Sequence, residues 1–77
     1  MVEAYVLIQT EAGKPPSVAS EVTQIEGVVT AVVVSGPYDV IARVTAENFD
    51  SLAKLSVSKI QAVDGVTRTV TCSVAHL

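Results

Sequence analysis

The apolar residues of this chain fall into four short runs rich in β-branched and aromatic side chains. Each run is bounded by glycine, proline or a cluster of polar residues, as is typical of strands. The last run alternates valine and cysteine with threonine and serine, so its two faces differ in polarity. The pattern predicts four strands, over residues 2–10, 28–35, 40–45 and 66–75.

Two segments between these strands have helical spacing instead. In the first, apolar residues recur at i, i+4 and i+7, in Val18, Val22 and Ile25, which predicts a helix over about residues 16–26. The second begins after residues 46–48 and ends near Val63. Gly27 follows the first predicted helix and is expected to cap its C-terminus.

A short repeat relates the two halves of the chain. Ile25-Glu26-Gly27-Val28 matches Val63-Asp64-Gly65-Val66, and the same offset (63 − 25 = 38) aligns strand 1 with strand 3. Each half is then a β-α-β unit with a right-handed crossover. Two such units interleave into an α+β, ferredoxin-like β-α-β-β-α-β domain, with a four-stranded antiparallel sheet and two helices on one face.

The opposite face of that sheet is predicted to be apolar as well. Strand 1 places Tyr5 and Leu7 on the face away from Val6 and Ile8, and strand 2 is apolar on both sides. A sheet with one solvated face normally alternates apolar with polar residues. We therefore expect a second copy of the chain to cover this face, which gives a dimer that packs sheet against sheet.

Composition narrows the possible functions. The chain has 77 residues, which corresponds to one domain over 1–77 with no separate DNA-binding domain, and 49% of them are hydrophobic. The chain has one cysteine, Cys72, so an internal disulfide cannot form. With one histidine, His76, and no Cys/His cluster, the sequence predicts no metal site and no cofactor. Cys72 is expected to be a small buried residue.

Charge argues against nucleic acid as a direct partner. Eight acidic residues outnumber five basic ones, the net charge is −3, and the basic residues are dispersed. The N-terminus lacks the features of a signal peptide, and no apolar run approaches the length of a membrane span. We expect a cytoplasmic protein.

Three motifs, in order along the chain, carry a resemblance to a known family. They are strand 1 running into Gly13, the Ser-Gly-Pro-Tyr-Asp turn at 35–39, and the Asp-Gly-Val-Thr-Arg-Thr-Val-Thr segment at 64–71. The last two match a Gly-x-Tyr-Asp turn and a Gly-Val-x-x-Thr-x-Thr strand. The whole chain resembles the C-terminal ligand-binding domain of Lrp/AsnC (feast/famine) transcriptional regulators, also called the RAM domain.

The resemblance implies a function and a site. It implies an effector-sensing module that binds an amino acid or similar metabolite in a cleft between neighbouring dimers, with the dimers assembling further into a ring. It also implies co-assembly with a full-length Lrp/AsnC regulator, while the helix-turn-helix domain of those regulators has no counterpart in these 77 residues. The implied ligand-binding residues are Ser35, Gly36, Tyr38, Asp39, Thr69 and Thr71.

Structural interpretations of the same residues stay open. The 36–39 segment is also an ordinary turn sequence, in which Asp39 would cap nearby N–H groups, and Gly36 is expected to resist replacement by valine. Thr69 and Thr71 also suit a polar sheet face, and Arg43 suits a structural ion pair.

Two other classes of function compete with effector sensing. Dimeric ferredoxin-like domains include small monooxygenases and isomerases, but these need a deep cavity with suitable side chains, and we identify no catalytic residue here. The other alternative is a purely structural interaction domain.

Overall fold

The computed structural model describes residues 1–76, so Leu77, the last residue of the predicted domain, lies outside the described residues. The strands are β1 (Val2–Thr10), β2 (Val28–Val33), β3 (Val40–Ala46) and β4 (Val66–Ser73). Helix α1 (Pro15–Thr23) joins β1 to β2. Helix α2 joins β3 to β4, and it is α-helical over Phe49–Ser51, π-helical over Leu52–Val57 and α-helical again over Ser58–Gln61.

The four strands form one antiparallel sheet in the order β2-β3-β1-β4, which confirms the predicted fold. Val6 on β1 lies opposite Ala42 on β3 and opposite Thr71 on β4. Ala31 on β2 lies opposite Ala42 from the other side. The two β-α-β units, β1-α1-β2 and β3-α2-β4, therefore interleave, and β1 and β3 occupy the centre of the sheet.

The core lies between the sheet and the helices. Alternate residues of the two central strands point toward the helices and are buried, as period-2 strands require. Ser56 of α2 is buried among them, and its hydroxyl donates a 2.9 Å hydrogen bond to the carbonyl of Glu26. The buried apolar residues are Ala4, Val6, Ile8, Val18, Ala19, Val22, Val40, Ala42, Val44, Leu52 and Ile60.

The ends of some elements differ from the predicted ones. Helix α1 ends at Thr23, and Gln24 rather than Gly27 occupies its C-cap position. A pair of tight turns then leads to Gly27, whose φ of 89° reverses the chain into β2. Strand β2 ends at Val33, two positions early, and the N–H of Val34 then donates to the carbonyl of Asp39 at 2.9 Å across the turn.

The repeat is present in the backbone hydrogen bonds. The N–H of Val28 donates to Ile25 at 3.1 Å, and that of Val66 donates to Val63 at 3.2 Å. The first strands of the two halves, β1 and β3, are however related by an offset smaller than the 38 residues that relate the two turns. Thr45 donates to Gly27 and Glu11 donates to Gly65, both at 2.8 Å, so position 45 corresponds to position 11 (45 − 11 = 34). The predicted alignment of strand 1 on strand 3 was wrong, because α2, over residues 49–61, is four residues longer than α1 (13 − 9 = 4).

Candidate functional site

The helix-free face of the sheet carries a central apolar band. Leu7 lies opposite Ile41 on β3 and opposite Val70 on β4. Val32 of β2, which lies opposite Ile41, is 52% exposed, and Tyr5 is 44% exposed. A single chain therefore leaves Tyr5 and Val32 exposed on this face and Leu7, Ile41 and Val70 half-buried.

Cys72 shares this face, opposite Tyr5, and is exposed. The expectation that it is buried was wrong for the single chain. β4 is an edge strand without a neighbour on its outer side, and the helices cover only the other face.

An ion pair lies at one end of the same face. The guanidinium of Arg43 on β3 donates a hydrogen bond to the carboxylate of Glu3 on β1. This hydrogen bond, together with the charge of Glu3, raises the pKa of Arg43 above its ordinary value. The interpretation of Arg43 as part of a structural ion pair is confirmed, and its partner belongs to the same chain.

The turn between β2 and β3 closes the other end of the face. The N–H of Thr10 donates to Oδ2 of Asp39 at 2.8 Å, and the Thr10 hydroxyl lies 3.5 Å from the same oxygen. The N–H of Asp39 in turn donates to the carbonyl of Ile8 at 2.9 Å. Asp39 thus caps the end of a neighbouring strand and not, as the structural interpretation expected, its own turn.

The remaining turn residues line a shallow depression of about 350 Å³. Tyr38 is half-buried, whereas Ser35 and Gly36 are exposed. A Cβ atom on Gly36 would meet nothing within 4 Å, and the φ of Gly36 lies outside the left-handed region. These two observations show no need for glycine in the turn backbone, and the effect of Gly36→Val stays a prediction. The lining of the depression consists of Leu7, Val34, Ser35, Gly36, Pro37, Tyr38 and Ile41.

The two threonines lie on the other side of the sheet. Thr69 is opposite Ile8 and Thr71 is opposite Val6, and both of these partners point toward the helices. The hydroxyl of Thr69 accepts a 3.0 Å hydrogen bond from the side-chain amide of Gln61 at the end of α2. Within one chain, the structure brings Ser35, Gly36, Tyr38 and Asp39 together and places Thr69 and Thr71 apart from them.

Sequence reasoning missed Gln9, which contacts the turn. The side-chain amide of Gln9 donates to the carbonyl of Pro37 at 3.1 Å, and Arg68 lies opposite Gln9 on β4. The available signal was that Gln9 ends the apolar alternation of Tyr5 and Leu7 on that face. Its contact with the turn depends on strand pairing, which the sequence pattern alone does not specify.

A second depression, of about 240 Å³, lies at the opposite end of the molecule. The corner at Glu26 and Gly27 borders it on one side and residues of α2, including Leu55 and Ser56, border it on the other. Within residues 1–76 no group of histidine, cysteine and carboxylate side chains is arranged to hold a metal ion. No helix of the described chain combines the length and apolar character needed to cross a membrane.

Comparison with known proteins gives consistent matches. The family model described as the Lrp/AsnC ligand binding domain matches residues 3–76. An uncharacterised HTH-type transcriptional regulator of Pyrococcus furiosus is 31% identical over 71 residues, which cover 88% of this chain and 47% of that protein. The chain thus spans about half the length of the curated relative it matches.

Solved structures share the fold. A protein of Thermus thermophilus superposes with a TM-score of 0.91 at 26% identity, covering 100% of this chain and 96% of that one. AsnC of E. coli superposes with a TM-score of 0.87 at 25% identity, covering 99% of this chain and 52% of that one.

Proposed function

This chain belongs to the Lrp/AsnC ligand-binding domain family, and we propose that it is an effector-sensing module that binds an amino acid or a similar small metabolite. The observation that carries the proposal is the placement of Asp39. Among the described residues, hydrogen bonds reach only its Oδ2 atom, which leaves Oδ1 for a ligand. A carboxylate held in this way suits the ammonium group of an amino acid.

We further propose that the chain assembles through the helix-free face of the sheet. The apolar band around Leu7 and Ile41 is the surface that a second copy would cover, and dimers would then associate into larger rings. Ligand would bind where the turns of neighbouring dimers meet, with Ser35, Gly36, Tyr38 and Asp39 from the turn and Thr69 and Thr71 from β4.

Two neighbouring valines offer a matched test of this assembly. Val32 and Val33 are exposed to nearly equal extents, 52% and 51%. Val32 lies opposite Ile41 on the helix-free face, whereas Val33 lies opposite the buried Val40 on the helix side. We expect Val32→Lys to convert the dimer to monomer in light scattering at micromolar concentration, and Val33→Lys to leave it intact. A folded wild-type monomer at that concentration would contradict the proposal.

Ligand binding is tested by thermal shift and calorimetry with a panel of the standard amino acids. Stabilisation by at least one of them is expected, because a ligand that binds the folded state raises the unfolding free energy. If no amino acid stabilises the protein at millimolar concentration, effector sensing is contradicted, and a purely structural role replaces it.

The two roles of Asp39 are separable by two substitutions. Asp39→Ala removes the acceptor of the Thr10 N–H, so the ligand-free protein is expected to melt lower. Asp39→Asn keeps an oxygen for that N–H and removes the charge. Asn is therefore expected to preserve most of the melting temperature and to weaken amino-acid binding by about tenfold to a hundredfold. Unchanged affinity in Asp39→Asn would remove Asp39 from the site.

We propose that the module acts in the cytoplasm on a full-length Lrp/AsnC regulator by co-assembly, without contacting DNA itself and without catalysis. The net charge of −3 supports this choice, because DNA phosphates repel an acidic surface. Native mass spectrometry of the chain mixed with such a regulator should show hetero-oligomers. A mixture that contains only homo-oligomers would contradict co-assembly.

A further inference from the structure

The chain fills one of its two helix-to-strand corners with a side chain of its own. Lys14, at the N-cap of α1, packs on the corner at Asp64 and Gly65. A Cβ atom on Gly65 would lie 3.1 Å from the Cβ and 3.2 Å from the Cγ of Lys14. The Lys14 ammonium lies 3.6 Å from the carboxylate of Asp64. The aliphatic stem of a lysine thus covers the glycine while its charge is paired with the neighbouring acid.

The corner at Glu26 and Gly27 has an acid and a glycine at the equivalent positions of the repeat, but its helix begins differently. The N-cap of α2 is Asn48, which follows Lys14 by the offset that relates β1 to β3 (48 − 14 = 34). The Asn48 side chain accepts a 2.8 Å hydrogen bond from the N–H of Ser51 and so caps its own helix. Asparagine supplies neither the aliphatic stem nor the ammonium group that fills the other corner.

The depression of about 240 Å³ lies at this second corner and contains two acidic residues. Glu26 and Glu47 line it and are exposed, and within residues 1–76 neither forms an ion pair. Ala46 and Leu55 line the same depression, and Leu55 is 44% exposed. The lining thus combines negative charge with apolar surface, which is the combination that a lysine side chain matches.

The helix beside the depression also differs from its counterpart. Leu55 and Ser56, which line the depression, belong to the π-helical stretch of α2. A π-helix bonds residue i to residue i+5, and such stretches occur frequently at functional sites. Helix α1, which supplies Lys14 to the filled corner, is α-helical over its whole length. The two corners therefore differ in helix geometry as well as in occupancy.

We propose that the depression at Glu26 and Gly27 is a docking site for a partner protein that inserts a lysine side chain flanked by apolar residues. The lysine stem packs against Leu55, and its ammonium group pairs with Glu26 and Glu47, as in the filled corner. The exposed apolar side chains of α2 favour a protein over a free amine, because a small amine would leave Phe49 (55% exposed) and Leu55 uncovered. A copy of the chain packed on the helix-free face would leave this site open.

NMR titration of the isotope-labelled full chain measures this docking with two peptides. The probe is acetyl-Ala-Leu-Lys-Leu-Ala-amide, and the matched peptide has glutamine in place of lysine. We expect the lysine peptide to shift the amide signals of Gly27 and Leu55. It should bind about threefold to fivefold more tightly than the glutamine peptide, which is the range of an exposed ion pair. Butylamine, which carries the cation without flanking apolar residues, should bind more weakly than the lysine peptide.

Substitutions of the two carboxylates test their part in the preference for lysine. Glu26→Gln is expected to reduce the preference, and the double variant Glu26→Gln/Glu47→Gln to abolish it without changing the affinity for the glutamine peptide. Glu11→Gln is the matched control, because it removes one exposed negative charge at the filled corner, where the N–H of Glu11 donates to Gly65. This control should bind both peptides as the wild-type chain does.

Four results would overturn the proposal. The first is that neither peptide shifts Gly27 or that both bind the wild-type chain equally, and this comparison needs no variant that has to fold. The second is a double variant that keeps the full preference for lysine. The third is butylamine binding as tightly as the lysine peptide, which would assign the depression to small amines. The fourth is a changed oligomeric state of Glu26→Gln in light scattering, which would identify a second copy of the chain as the occupant.

Discussion

The chain turns from a helix into a strand at two corners of the molecule. These corners have the same backbone conformation but different surroundings. Gly27 and Gly65 occupy equivalent positions of the repeat and have φ values of 89° and 96°. The carbonyl of Gly27 accepts a 2.8 Å hydrogen bond from the N–H of Thr45 in β3. The carbonyl of Gly65 accepts one of the same length from the N–H of Glu11, which follows β1. The local sequence of the repeat therefore specifies one turn twice.

The space around the two glycines differs. A Cβ atom on Gly27 would lie 2.8 Å from the carbonyl oxygen of Thr45 and 2.7 Å from the hydroxyl of Ser56. A Cβ atom on Gly65 would lie 3.1 Å from the Cβ of Lys14 and 3.2 Å from Val18. The first corner is closed at less than 3 Å by a backbone oxygen and by the π-helical part of α2, whereas the contacts at the second corner are longer than 3 Å. The two glycines therefore have similar φ values but are expected to differ in how well they tolerate replacement by alanine.

The largest expected effect comes from Gly27→Ala. The left-handed conformation is unfavourable for alanine, and the Thr45 carbonyl cannot move without breaking its strand. We expect a loss of about 3 kcal/mol in the free energy of unfolding, measured by urea denaturation at a fixed protein concentration. A loss below about 1 kcal/mol would show that the corner relaxes, and the contrast with Gly65 would disappear.

Gly65→Ala should have the same conformational cost without the rigid contact. A shift of a few tenths of an ångström would relieve the contacts with Lys14 and Val18, so we expect a loss of about 1–2 kcal/mol. The same denaturation experiment measures it. A loss equal to or greater than that of Gly27→Ala would reverse the comparison.

Ser56→Ala sharpens the comparison at the first corner. The substitution removes the hydrogen bond to the Glu26 carbonyl and is expected to cost about 1 kcal/mol. In the Gly27→Ala background it also removes one of the two close contacts, so the double variant should be more stable than the sum of the single effects predicts. Strict additivity would mean that the Ser56 hydroxyl does not limit the space at Gly27.

The smallest effect is expected at Gly36, which has neither a left-handed φ nor a close neighbour. Gly36→Ala should leave the unfolding free energy within about 0.5 kcal/mol of wild type. Loss of amino-acid binding in this stable variant would indicate that a ligand or a neighbouring subunit approaches the backbone there. A large loss of stability would mean that the turn depends on glycine after all.

Much of the fold followed from local pattern. The predicted first strand has the observed bounds Val2–Thr10, because its run of β-branched and aromatic residues is bounded by the polar and glycine-containing segment that follows. Helix α1 was placed correctly but drawn too long, since Ile25 keeps the helical spacing while the backbone has already begun to turn at Gln24. The π-helical stretch Leu52–Val57 has no marker in the apolar spacing that predicted α2.

The sequence by itself determined the order of the elements, the repeat and the motifs that place the chain in its family, because these depend on residues close together in the chain. The tertiary structure alone decided which of the predicted site residues meet. Asp39 contacts Thr10, which is distant along the chain, and Arg68 comes into line with it through Gln9, whereas Thr69, the next residue, points to the opposite face. Such neighbours are set by the register of three strands, and a shift of a single position would exchange the two faces.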